Sequence, residues 1–74
     1  MDKIVYMKRE FAKRLKDLRL DAHLSLDDLA AKTGISRAAL CNYENGVNDI
    51  TSDYLVILAK FFNVSTDYLV GLED

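Results

Sequence analysis

Arg37 and Asn42 are the side chains in this sequence best equipped for specific chemistry, and they flank a small, uncharged surface. A guanidinium presents a planar fork of N–H donors, and a carboxamide presents a donor beside an acceptor. Paired hydrogen bonds of that kind suit the flat polar edges found in a duplex groove. Catalytic chemistry has little support. There is one His and one Cys, no paired His or Cys ligands and no Gly-rich phosphate loop, and Asp27 and Asp28 project from different helix faces. The expectation is a protein that is not an enzyme, holds no metal or other cofactor, and has no evident small-molecule substrate.

The elements that must position Arg37 and Asn42 are two short helices and a tight turn, between Leu26 and Gly46. Leu29 and Ala30 put one large and one small apolar side chain on the same side of the first helix, and the small one lets a second helix cross closely. Gly34 falls where the chain must leave that helix through positive φ. Ser36 then offers a hydroxyl to the free N–H groups of the next helix. Leu40, Tyr43 and Glu44 share one face of this second helix, while Ala38, Asn42 and Asn45 project from the other.

Ile35-Ser36 with Leu40 is one of four copies of a local device: an apolar residue, a Ser or Thr cap, and a Leu four positions after the cap. Leu24-Ser25 with Leu29, Ile50-Thr51 with Leu55 and Val64-Ser65 with Leu69 are the others. Each matches a capped helix start with a hydrophobic staple, and each cap contributes about 1 kcal/mol. With one earlier helix they make five.

Phe11, Leu15, Leu18 and Ala22 form the apolar stripe of helix one. Ile4 and Met7 extend its spacing backwards, so the helix begins either just after Asp2 or near Lys8, with residues 1–7 as an extension or a loose arm. The other helices are expected at about 26–33, 37–45, 52–62 and 66–70, the last ending at Gly71. The fourth carries Leu55, Leu58, Ala59 and Phe62 on one face and Tyr54, Ile57 and Phe61 on another.

Seventy-four residues, half of them apolar and none of them Pro, fit one small all-α domain over 1–74. No apolar run approaches the roughly 20 residues that span a bilayer. The lone Cys excludes an internal disulfide and no signal-peptide pattern opens the sequence, so a cytoplasmic protein without membrane contact is expected. Charge is polarised. Residues 1–37 hold nine Lys or Arg against six Asp or Glu, and residues 38–74 hold one against six, which gives +3 and −5 within a net −2. Either the basic side faces phosphates, with weak overall attraction limiting non-specific binding, or both are ordinary solvated faces.

From Phe11 to Gly71 the sequence resembles the phage repressor and Cro-type helix-turn-helix family, also called the Xre family. The resemblance rests on Leu15…Arg19, Ser25…Leu29-Ala30, Gly34-Ile35-Ser36, Tyr43-Glu44-Asn45-Gly46, Leu58-Ala59 and Val64-Ser65…Leu69, all in register without gaps. It implies a five-helix domain whose third helix enters the major groove of double-stranded DNA, commonly as a dimer on a two-fold related site. By position, Arg37, Ala38 and Asn42 match the family's base-reading residues, and Arg–guanine, Ala–thymine methyl and Asn–adenine contacts suit these side chains. Arg37 stays open to two other readings, a phosphate contact or a solvated charge. Phosphate contacts fall at Ser25, at the backbone N–H of Leu26 and around Asn45, although Ser25 also reads simply as a cap.

The family places a salt bridge between the positions of Arg19 and Glu44. Glu44 lies on the core face beside Leu40, where a carboxylate is expensive without a cation, so the two are expected to pair. Three departures point to weaker DNA affinity or a local structural substitute. Leu26 replaces a common Gln, Val47-Asn48-Asp49 stand where basic residues are frequent, and His23, which tolerates positive φ, replaces a usual Gly. Cys41 reads as a small filler at the edge of the groove-facing surface.

Tyr54, Ile57 and Phe61, with Tyr68, Val70 and Leu72, amount to more apolar surface than a short last helix covers. Two readings follow: a homodimer through Ile57, Phe61, Tyr68, Val70 and Leu72, or a fourth helix buried on both sides. The functional expectation is a repressor-like transcriptional regulator that reads DNA. The alternative is an antitoxin-like or adaptor module whose acidic half binds a protein.

Overall fold

Four hydroxyl side chains begin four of the five helices. In the computed structural model, which describes residues 3–47 and 50–72 and side chains from Arg9 onward, the helices are α1 (Lys3–Asp21), α2 (Leu26–Thr33), α3 (Arg37–Glu44), α4 (Ser52–Phe62) and α5 (Thr66–Leu69). Ser25 Oγ accepts from the Asp28 N–H at 3.0 Å, Ser36 Oγ from Ala39 at 3.1 Å, Thr51 Oγ1 from Tyr54 at 3.4 Å and Ser65 Oγ from Tyr68 at 2.9 Å. Each hydroxyl meets a donor that the helix itself leaves unsatisfied. At Ser25 the device is reciprocal, because Asp28 Oδ2 accepts from the Ser25 N–H at 3.1 Å. That hydrogen bond holds the Asp28 carboxyl below the usual carboxylate range.

The helix ends are also set by single residues. His23, Gly34, Gly46, Asn63 and Gly71 all have positive φ, one after each helix. After α1, α3, α4 and α5 the turn closes with paired backbone hydrogen bonds, such as Gly46 N–H to Tyr43 O and Val47 N–H to Asn42 O. His23 therefore occupies the left-handed conformation expected of it, with φ 59°.

The helix of α1 starts at Lys3, so the long-helix alternative applies. Asp2 and the faces of Ile4 and Met7 lie outside the described residues and side chains. Ala22 corrects the sequence reading. It is exposed and lies one residue beyond the end of α1, because the chain is already turning into the left-handed conformation of His23.

The stapling leucines build the core. Leu29, Leu40 and Leu69, each four residues after a cap, are fully buried, together with Leu15, Ile35 and Leu58. Phe11, Tyr43 and Ala59 complete the cluster, and Leu55 and Phe62 pack at its edge. Tyr43 meets the Phe11 ring edge to face at 6.1 Å, and its burial pushes the phenol pKa up. Around this cluster α1 packs against α3 and α5, α2 against α3 and α4, and α4 against α5.

The C-terminal turn is fastened to α1. Arg14 donates to the Tyr68 carbonyl at 2.6 Å, lies 4.5 Å over the centre of the Tyr68 ring and pairs with Glu10 at 3.3 Å. Gly71 touches the root of the same Glu10 side chain. A Cβ at residue 71 would lie 2.7 Å from Glu10 Cβ, whereas one at Gly34 would meet open space. Gly34→Ala is expected to cost about 1 kcal/mol from positive φ alone. Gly71→Ala is expected to cost more, about 2–3 kcal/mol, lowering Tm by roughly 10 °C or more in a domain of this size. Thermal unfolding that ranks the two variants in the reverse order would remove the close-approach account.

Candidate nucleic-acid interface

Three residues, Gly34, Ile35 and Ser36, join α2 to α3. Gly34 closes α2 with φ 77°, its N–H donating to the Ala30 carbonyl at 2.9 Å. Thr33 secures the same turn, its hydroxyl donating to the Leu29 carbonyl at 2.7 Å and accepting from the Ile35 N–H at 3.3 Å. The sequence reading missed this role of Thr33. Ile35 then enters the core at 1% exposure, which anchors the start of α3.

On α3 and its cap residue, Leu40 and Tyr43 are buried, Arg37, Ala38 and Asn45 are exposed, and Cys41 and Asn42 are half-buried. These last five form one helical stripe by their spacing. The stripe faces away from the core, has no carboxylate, and combines a cation with two carboxamides, a methyl and a thiol. Cys41 lies within the stripe, one turn before Asn45, whose Nδ2 donates to Cys41 Sγ at 3.5 Å. Asn45 also caps the C-terminal end of α3. Arg37 begins the helix, with Nε 3.2 Å from Asp27 Oδ1. Ser25 caps α2 and is exposed beside it, whereas Leu26 is half-buried, its side chain packed against the core.

Arg19 and Glu44 hold this stripe in place. Arg19 Nε donates to Glu44 Oε2 at 2.7 Å and Nη2 to Oε1 at 3.0 Å, while Nη1 donates to the Leu24 carbonyl at 2.8 Å. The side chains are 11% and 6% exposed, so each charge depends on the other for solvation. Hydrogen bonding to Glu44 raises the Arg19 pKa despite the opposing cost of burial. The expected pairing is present, and it joins α1, the α1–α2 turn and the last residue of α3.

The second face of α4 is open. Tyr54, Ile57 and Phe61 are 36–38% exposed, which excludes a fourth helix buried on both sides. Leu72 is more exposed still, and Tyr68 and Val70 are half-buried. The unfavourable effect expected of Asn48 and Asp49 falls outside the described residues, whereas Val47 is exposed. Among the described residues no helix is long and apolar enough to cross a membrane.

Five helices with this turn and this outward stripe define a helix-turn-helix domain. Residues 15–69 match the helix-turn-helix family model HTH_3, and the chain belongs to that family. Over 62 residues it is 40% identical to the HTH-type transcriptional regulator ImmR of Bacillus subtilis, covering 84% of this chain and 49% of that one. It is also 37% identical over 59 residues to the antitoxin PezA of Streptococcus pneumoniae, covering 80% of this chain and 37% of that one. Among solved structures, an HTH_3 family transcriptional regulator from Vibrio cholerae superposes with a TM-score of 0.81 at 33% identity, over 95% of this chain and 39% of the other. The chain thus spans about half or less of the length of these relatives.

Arg19→Ala would strand Glu44 beneath α3, and urea unfolding is expected to show a loss of about 3–5 kcal/mol. The combined Arg19→Met/Glu44→Leu change removes both charges and should lie closer to the parent than the single variant. An Arg19→Ala stability within error of the parent would reject the pair as a structural tie.

Proposed function

We propose that this chain is a sequence-specific, double-stranded DNA-binding transcriptional regulator, repressor-like and cytoplasmic, that lays α3 in the major groove. The observation that carries this reading is the stripe of Arg37, Ala38, Cys41, Asn42 and Asn45, turned outward by buried Leu40 and Tyr43. Membership of the helix-turn-helix family supports it. Arg37 bonds guanine O6 and N7, Asn42 bonds adenine N6 and N7, and the Ala38 methyl touches thymine. Ser25, the N–H of Leu26 and the turn around Asn45 meet phosphates, positioning the helix without reading sequence. With a net charge of −2, non-specific attraction is weak, so discrimination rests on the base contacts.

Selection from a random duplex pool tests this directly. The parent is expected to enrich a defined site, and Arg37→Ala/Asn42→Ala to lose it, because each bidentate contact supplies about 1–3 kcal/mol of discrimination. Equal enrichment by both proteins would remove the base-reading assignment.

The protein acts as a homodimer through the open face of α4 and the C-terminal turn, with Ile57, Phe61, Tyr68, Val70 and Leu72 at the interface. Such a dimer sets two α3 helices about 34–36 Å apart, one turn of duplex. Sedimentation at micromolar concentration should give a dimer for the parent and a monomer for Phe61→Glu; a monomeric parent would eliminate association in free solution. The same apolar face and the likeness to an antitoxin favour a second reading, a module that binds another protein. A salt-independent protein complex without duplex binding would select that reading.

A further inference from the structure

Asp27 and Asp28 are adjacent acids in the first turn of α2, and they do different things. Asp28 completes the cap with Ser25, so the helix start does not need a second carboxylate there. Asp27 instead reaches across the turn to Arg37, its Oδ1 lying 3.2 Å from Nε. The approach is to the stem side of the guanidinium. The terminal Nη1–Nη2 fork, which matches guanine O6 and N7, lies at the far end of the same rigid plane.

We infer that Asp27 is a specificity-determining positioning residue that aims Arg37 at a guanine edge and keeps it from swinging to a flanking phosphate. This rests on the reading of α3 as the helix that enters the groove. In the free protein the side chains of Arg37 and Asp27 are 61% and 79% exposed, so the pair adds little to folding. A lone carboxylate beside a phosphate-facing helix also weakens binding to every duplex. Beside Arg37, it trades general attraction for direction: a guanidinium with a carboxylate at its stem is drawn less to phosphate. When a duplex displaces water from this edge, the pair strengthens because screening falls. On this inference, Arg37 takes the base contact among the three roles open to it from sequence.

The test titrates the selected duplex and its single-base variants with the parent, Asp27→Ala, Asp27→Asn and Arg37→Ala. Asp27→Ala is expected to reduce guanine preference at the base pair read by Arg37 by about three- to tenfold, part of what one bidentate pair supplies. Its affinity for unrelated duplexes should rise, since one negative charge has gone. Asp27→Asn, which keeps the reach but removes the charge of the ion pair, should lose the preference as Asp27→Ala does, and a preference retained in Asp27→Asn would show that the ion pair does not aim Arg37. Unchanged base preference in Asp27→Ala would make Asp27 a solvated charge, and sharper preference would make it a competitor for Arg37; either overturns the inference. If Arg37→Ala keeps every base preference, the role of Arg37 is wrong and the inference falls with it. If the parent enriches no sequence, the DNA-binding reading has failed, and this inference with it.

Discussion

The placement of α3 depends on the paired hydrogen bonds between Arg19 and Glu44. Two charges nearly withdrawn from water fix each other's position closely, since displacing either leaves the other unsolvated. Arg19 also donates to the Leu24 carbonyl, so one guanidinium ties the end of α1 to the turn before α2 and to the last residue of α3. Ile35 does the equivalent at the other end of α3 by burying its side chain. Held at both ends and backed by Leu40 and Tyr43, the helix has one face left to present.

That face is chemically sparse, which suits recognition. It holds a cation and two carboxamides for hydrogen bonding, a methyl and a thiol for contact, and no carboxylate of its own. Two acids at the start of α2, Asp27 and Asp28, are both engaged: one with Arg37 and one with the backbone of Ser25. The acidic second half of the sequence leaves its mark elsewhere, with Asp53 and Asp67 in the first turns of α4 and α5, where negative charge complements the helix dipole.

Much of the scaffold was legible because single residues determine it. A Ser or Thr followed four places later by Leu marks a helix start whatever surrounds it, and the starts of α2, α3, α4 and α5 fall where those pairs stand. His23 and Gly34 announced their turns by what their backbones tolerate. Residues whose roles depend on the relative placement of two elements were harder to read. Asp27 meets Arg37 only because the turn brings two helix starts together, and Arg14 meets Tyr68 across 54 positions. Neither leaves a periodic trace. Ala22 failed for the opposite reason: the apolar spacing continues past the point where the chain has already left the helix. Asn63 was overlooked as a turn residue, although its short polar side chain suits the left-handed conformation it adopts. The stripe on α3 was readable, apart from the central place of Cys41, because Leu40 and Tyr43 define the opposite face.

Apart from Asn45, the residues that cap α2, α3, α4 and α5 take no part in the outward stripe, and this division of labour has an evolutionary corollary. Where hydroxyls and left-handed residues set each helix's beginning and end, letters between them that point to solvent can drift at little risk to the architecture. Arg37 and Ala38 are such letters, Cys41 and Asn42 are half-buried members of the same stripe, and Asn45 doubles as a boundary. On the proposed reading of α3, a lineage built on this plan can acquire new addresses by exchanging a few outward side chains while inheriting the rest unchanged.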